Sequence, residues 1–246
     1  MSKKVIILGS SGYLGENIAR FLKQNNFNVI GISRKKSSFT TLQISDYFSD
    51  YNEITKQISK NDILINCIND QKCEKNKVSF INFFLEKINF SIKILQISSL
   101  SVYNEINNEY LKDEKSTLNP MTSYGKLKLS IENNIKNNTL ITDYLILRVG
   151  GVFGKKRLPI LIRLKRNIFT YSILKIFFST TYLKLLSINK LNYKILSLLE
   201  KDDFNRETIN LFYNHLFIVS KNNFFKKFIK RNFLRSYYII VSNNKI

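Results

Sequence analysis

The first 154 residues alternate short apolar runs with amphipathic stretches. Val5–Leu8, Asn28–Ser33, Ile63–Cys67, Ile92–Ser98 and Tyr144–Val149 lack polar alternation, which predicts parallel strands buried on both faces. Between them, Leu14–Gln24, Tyr51–Ser59, Lys75–Ile88 and Ser123–Asn137 predict helices. This strand–helix rhythm predicts an α/β fold with a doubly wound parallel sheet and right-handed crossovers. After Gly154 the pattern changes. Pro159 is expected to open a helix, and Ile160–Leu186 is apolar and aromatic with interspersed Lys and Arg. Ser187–Leu199 then predicts a helix, Thr208–Tyr213 a strand, and Lys221–Arg235 a helix with Phe and Lys on different faces. The expected division is residues 1–154 and a small, shortened C-terminal part at 155–246.

Composition adds a charge asymmetry. The chain carries a formal net +21, and residues 155–246 hold 19 Lys/Arg against 4 Asp/Glu. Such a surface attracts nucleic acid, other polyanions or an anionic membrane. A solvated lysine-rich face ranks ahead of all three. Lys175 interrupts the apolar run Ile168–Phe178, so a membrane span is not expected. Met1–Lys4 runs straight into Val5–Leu8 without a leader pattern, and a cytoplasmic location is expected. One histidine, His215, and two cysteines, Cys67 and Cys73, have no metal-site spacing, so no metal centre is expected.

Candidate chemistry begins at Gly9-Ser-Ser-Gly12-Tyr-Leu-Gly15, between the first strand and first helix. Backbone amides and a helix N-terminus there suit a pyrophosphate, making Gly9, Ser11, Gly12, Tyr13, Leu14 and Gly15 candidate dinucleotide-binding residues. Gly9 allows a tight turn, Gly12 close approach of phosphate, and Gly15 packing of helix on strand. The second strand ends in Ser33-Arg34-Lys35-Lys36 rather than an acidic residue. A guanidinium beside ammonium groups suits a 2′-phosphate, so NADP is favoured over NAD, with Ser33 and Arg34 at the adenosine ribose. The alternative is that Arg34 stacks on adenine or faces solvent.

The fourth strand runs into Ser98-Ser99-Leu100-Ser101-Val102-Tyr103, and Tyr124-Gly-Lys-Leu-Lys128 lies on the next predicted helix. Residues four apart share a helix face, so the Tyr124 phenol and Lys128 ammonium can address one ligand. A nearby cation stabilises phenolate, and Ser99 at a strand's carboxyl end can hold a substrate oxygen. Tyr-x-x-x-Lys arises easily by chance in a chain with 13 Tyr. The order of glycine turn, Ser-Ser strand end and Tyr/Lys helix gives it weight.

With these residues placed, the chain resembles an extended short-chain dehydrogenase/reductase of the NAD-dependent epimerase/dehydratase family. The resemblance rests on Gly9/Gly12/Gly15, Asp62–Asn66, Asn76, Asn82–Glu86, Ser98-Ser99-x-x-Val102-Tyr103, Pro120, Tyr124-x-x-x-Lys128, Glu132 and Leu147-Arg148-x-x-x-Val152-Phe153-Gly154. It implies a Rossmann-like sheet with a C-terminal substrate-binding part, and catalytic residues Ser99, Tyr124 and Lys128. It further implies Cys67 and Ile68 at the nicotinamide ribose and Ile44 near adenine. The family mostly modifies nucleotide-activated sugars, so a keto-reductase or epimerase in surface polysaccharide synthesis is expected. Reduction ranks first because a net reducing step suits NADPH. Departures are Ile68-Asn69, which would crowd the cofactor, Asn104, Gly151 in place of a substrate-contacting asparagine, and loss of the usual Arg and Asp within Leu183–Leu191. Lys155, Lys156 and Arg157 are assigned to substrate phosphate. A homodimer is left open. The competing class is a non-catalytic cofactor-binding relative that holds RNA or membrane through Lys226, Lys227, Lys230 and Arg231.

Overall fold

The computed structural model describes residues 3–68, 74–75, 78–103, 113–154, 178–201 and 203–220. Seven strands form the main sheet: β1 Lys4–Leu8, β2 Asn28–Ser33, β3 Leu42–Gln43, β4 Ile63–Asn66, β7 Ile92–Ser99, β8 Ile141–Val149 and β11 Glu207–Leu211. Their order is β11-β8-β7-β4-β1-β2-β3, with every neighbouring pair parallel. The order reverses direction between β1 and β4, the crevice where open α/β sheets bind ligands. This is a Rossmann-like fold.

Successive residues of each central strand serve opposite faces. Ile6, Leu8, Leu64, Ile94 and Ile146 join one core with Ile54 of α2 (Tyr51–Lys56), Phe80 and Phe84 of α3 (Phe80–Lys87), and Ile131 and Ile135 of α4 (Ser123–Asn137). Val5, Ile7, Ile65, Leu95, Leu145 and Leu147 join the other, with Ile18 and Leu22 of α1 (Tyr13–Gln24) and Leu191, Ile195 and Leu199 of α5 (Ile188–Lys201). Burial on both faces is why these strands read as continuous apolar runs.

The predicted helix at Lys75–Ile88 is shorter than expected. Glu74–Lys75 (β5) pairs antiparallel with Val78–Ser79 (β6), and α3 begins at Phe80. Ser79 is the reason: its hydroxyl accepts from the Asn82 amide and caps the helix. The predicted helix Tyr51–Ser59 likewise ends at Lys56.

Beyond β8 the chain contributes to two sheets. β9 (Gly151–Phe153) pairs parallel with β10 (Phe178–Ser187), and β10 pairs antiparallel with β12 (Tyr213–Ser220), the strand carrying His215. The end of the Ile160–Leu186 run is therefore strand. The predicted strand Thr208–Tyr213 splits into β11, which returns to the main sheet, and β12. The Asp143 carboxylate anchors that return by accepting from the Phe204 and Arg206 amides at 2.7 and 3.1 Å. Asn69, Cys73, Asn76, Asn104, Lys155–Arg157, Pro159 and Lys221–Arg235 lie outside the described residues. Among the described residues, no helix is long and apolar enough to cross a membrane.

Candidate active site

The glycine segment forms the turn its spacing predicts. Gly9 has φ of +83°, and its amide donates to the Ile32 carbonyl at 2.8 Å. A Cβ on Gly15 would sit 2.3 Å from the Gly9 carbonyl oxygen, so α1 docks on the turn only with glycine there. Gly12 caps α1 without a side-chain bond, and the first intrahelical bond runs from the Glu16 amide to the Gly12 carbonyl at 2.8 Å. The first-turn positions Tyr13, Leu14 and Gly15 thus lead the helix N-terminus out of the switch-point crevice, beside Ser11. Backbone-to-backbone packing at Gly9 and Gly15, opening on a helix N-terminus, fits a dinucleotide pyrophosphate.

Across the crevice, the end of β4 abuts this turn: a Cβ on Gly9 would lie 3.0 Å from the Cys67 carbonyl. Ile68 does not crowd the crevice as expected. Its side chain is buried in the core, and its amide donates to Asn66 Oδ1 at 3.1 Å. Ile44 is also a core residue, whose amide donates to the Ser33 carbonyl at 3.1 Å.

At the end of β2, Ser33 is buried and its hydroxyl works within the turn. It donates to the Lys35 carbonyl at 2.7 Å, lies 2.9 Å from the Thr40 hydroxyl, and receives the Ser10 hydroxyl at 3.3 Å. Arg34 is exposed, with its guanidinium 5.8 Å from the centre of the Tyr47 ring. Of the two residues assigned to the ribose, Arg34 is therefore the one whose side chain is available to a phosphate.

The three proposed catalytic residues come from two elements that meet at the carboxyl end of β7. Ser99 ends that strand and caps a 3₁₀ turn at Leu100–Val102, accepting from the Ser101 amide and hydroxyl at 3.2 and 2.9 Å. With its acceptor side so occupied, its own O–H is the group left to donate. Tyr124 and Lys128 lie on α4, where Thr122 caps the helix by accepting from the Gly125 amide. Lys128 is buried, donates to the Ile97 carbonyl at 2.9 Å, and holds its Nζ 5.8 Å from the Tyr124 ring centre. Gly125 brings the two elements together: a Cβ there would lie 2.1 Å from the Ser101 carbonyl oxygen. Gly125→Ala is expected to push α4 off the Ser99 turn, destabilising the fold by about 1–3 kcal/mol as overpacking does. Thermal denaturation checks this, and an unchanged melting temperature would contradict the contact.

Beneath these residues lies a buried polar network whose role the sequence left unread. Glu132 follows Tyr124 and Lys128 on the same face of α4, and its carboxylate accepts from Arg148 Nε and Nη2, the latter at 2.7 Å. It also accepts a short hydrogen bond from the Ser98 hydroxyl. Arg148 Nη1 donates to the Tyr103 hydroxyl at 2.7 Å, and that hydroxyl's single proton is shared between the Asp113 carbonyl at 2.9 Å and Asn210 Oδ1 at 3.0 Å. The backbone N–H of Asn210 in turn donates to Glu114 Oε1 at 2.9 Å. Burial opposes the Arg148 charge, but the Glu132 carboxylate outweighs it and holds the guanidinium pKa above its ordinary value. Burial pushes the Tyr103 phenol up, with Arg148 opposing. Spacing of four from Lys128 and eight from Tyr124 was a legible signal for Glu132. Asn210 and Lys184 had none, because only the returning strands β10 and β11 bring them here, and Glu114 had none because its partner is Asn210.

Lys184 is, with Lys128 and Arg148, a third buried cation among the described residues. It sits on β10, and burial lowers its pKa to about 8. Among the described residues, no group of three or more His, Cys, Asp and Glu could hold a metal ion.

The chain is 27% identical over 160 residues to the spore coat polysaccharide biosynthesis protein SpsK of Bacillus subtilis, covering 61% of this chain and 54% of that one. It spans little more than half the length of the curated relatives it matches. Two solved structures share the fold. UDP-glucuronic acid 4-epimerase of Bacillus cereus, in complex with UDP-glucuronic acid and NAD, gives a TM-score of 0.64 at 20% identity, over 88% of this chain and 79% of that one. dTDP-4-dehydrorhamnose reductase of Bacillus anthracis, in complex with NADP, gives 0.64 at 20% identity over 94% and 81%. At such identities the likeness is one of fold alone. Residues 5–164 match the NAD dependent epimerase/dehydratase family, and the chain belongs to that family.

Proposed function

We propose that this chain is an NAD(P)-dependent enzyme acting on a nucleotide-activated sugar, by keto-reduction ahead of epimerisation, in surface polysaccharide synthesis. Residues 1–154 supply the cofactor side, and residues 155–246 contribute to the substrate side. The observation that carries the reading is the packing of the Tyr124/Lys128 helix on the turn that Ser99 caps, through the Gly125 contact, with the glycine turn two strands away along the same sheet edge. The named activities of the relatives, polysaccharide biosynthesis, sugar-nucleotide epimerisation and dehydrorhamnose reduction, agree with it.

When bound, the nicotinamide supplies or accepts the hydride. Tyr124 Oη moves the matching proton to or from the substrate oxygen. Ser99 donates its O–H to that same oxygen as charge develops. Lys128, anchored on the Ile97 carbonyl beside the Tyr124 ring, would take the ribose hydroxyls. Gly9, Ser11, Gly12, Tyr13, Leu14 and Gly15 hold the pyrophosphate, with Cys67, Ile68 and Ile44 contributing backbone along the dinucleotide. The test is a screen of nucleotide sugars and their 4-keto forms with NADPH and NADH. Failure to bind either cofactor sinks the reading.

Cofactor preference turns on Arg34. NADPH is expected to bind more tightly than NADH, because an exposed guanidinium stands where an acidic residue would take ribose hydroxyls. Arg34→Asp is expected to reverse that order, weakening NADPH about 10- to 100-fold as loss of one charged hydrogen-bonding partner does. Titrating both cofactors into both proteins by nicotinamide fluorescence decides it. Equal affinities throughout would remove Arg34 from the site.

A further inference from the structure

β4 and β7 are adjacent parallel strands whose buried positions are apolar except at their carboxyl ends. There Asn66 of β4 stands in register with Gln96 of β7, both side chains buried. Their amides form a continuous chain. Asn66 Oδ1 accepts from the Ile68 backbone N–H at 3.1 Å, and Asn66 Nδ2 donates to Gln96 Oε1 at 2.9 Å. Gln96 Nε2 donates to the Ile97 carbonyl at 2.9 Å, the same oxygen that receives Lys128 Nζ at 2.9 Å. A carbonyl oxygen has two lone pairs, so it accepts both donors together. Hydrogen bonds thus run without a break from the backbone after β4 to the ammonium on α4.

The two ends of this chain are places that the cofactor reading uses. Cys67 and Ile68 are assigned to the nicotinamide ribose, and Lys128 to the hydroxyls of that same ribose. An apolar pair would fill the space between the strands without desolvating two amides. Replacing both partners of a buried hydrogen bond by apolar groups is nearly neutral for folding, so packing alone does not account for this pair. We propose that Asn66 and Gln96 are positioning residues, which fix the backbone after β4 and the Lys128 ammonium relative to one another so that both meet one nicotinamide ribose. This rests on the dinucleotide reading above. Neither side chain touches the cofactor; each acts through Ile68 or Lys128. The adenosine half, assigned to the end of β2, lies two strands from β4 and outside the reach of the chain.

The test compares wild type with Gln96→Met, Asn66→Ser and the double variant Asn66→Leu with Gln96→Met. Calorimetric titration uses NADPH and NADH as whole dinucleotides. Adenosine 2′,5′-bisphosphate and ADP serve as the matching adenosine halves, which lack the second ribose. Thermal denaturation is run without ligand. The double variant is expected to melt closer to wild type than Gln96→Met does, since it leaves no amide stranded. All three variants are expected to bind the preferred dinucleotide about 10-fold more weakly, the worth of one misplaced hydrogen bond, and its adenosine half as wild type does. Asn66→Ser keeps a hydroxyl that can accept from the Ile68 amide and severs the link to Gln96, so it decides the matter should the double variant not fold. Wild-type dinucleotide affinity in either folded variant overturns the proposal and leaves the function intact. So does equal weakening of dinucleotide and half, which would make general loss of structure the cause. Wild type that binds neither NADPH nor NADH overturns the dinucleotide reading itself, and this inference with it.

Discussion

Tyr124→Phe is expected to bind NADPH with nearly wild-type affinity and to lose about 10²–10⁴-fold in turnover, the usual contribution of a positioned general acid/base. The substitution removes one oxygen at the proposed proton-transfer point. It leaves Lys128 on the Ile97 carbonyl and α4 capped by Thr122. The turnover number and KM should separate the effects, since a group acting in the transition state lowers kcat and kcat/KM together. Lys128→Met should lower both turnover and cofactor affinity, because that side chain is assigned to ribose as well as to the phenol. Undiminished turnover of Tyr124→Phe on an identified substrate would remove Tyr124 from the mechanism.

The second large effect is on folding. Arg148→Met leaves the Glu132 carboxylate, 0% exposed, without its cation, and Arg148 itself is 1% exposed. Breaking a buried pair by removing one partner costs about 3–5 kcal/mol. In a domain of this size that lowers the melting temperature by about 6–20 °C, at 2–4 °C per kcal/mol. Removing both charges together, Glu132→Leu with Arg148→Met, should cost less than the sum of the two single changes, because no charge is then stranded. A double-mutant cycle by thermal denaturation checks this. Additive losses, or single variants within 1 °C of wild type, would show that the pair does not act as one unit.

The two predictions are linked by position. Glu132 sits one turn beyond Lys128 and two beyond Tyr124, and it is tied to Ser98, the neighbour of Ser99. The pair thus holds α4 against β7 and β8, the elements on which the proposed chemistry depends. Evolution of a buried ion pair at this place rather than an apolar contact agrees with a need for registry, since burial alone favours the apolar choice.

The central strands and the glycine turn were legible because their causes are local. Apolar runs at Val5–Leu8 or Ile63–Asn66 report burial on both faces, and Gly9 and Gly15 report a turn that no Cβ could occupy. The helix at Ser123–Asn137 was legible to the residue, since Thr122 and the apolar spacing are both encoded within it. Local cues failed where a polar side chain competed with periodicity, as at Ser79, whose cap starts α3 five residues after the predicted helix begins.

What the sequence determined by itself was the parallel α/β rhythm, the glycine turn after β1 and the Tyr124/Lys128 helix face, all set by residues within a few positions of one another. The tertiary structure alone decided what lies around them. Ile68 looked obstructive and proved to be core, and Ser33 looked available and proved to be held within its turn. Asn210 and Lys184 reach this region from strands far along the chain. Their neighbours are fixed by the return of β11 to β8 and by the pairing of β10 with β9, contacts between distant segments that no local periodicity records.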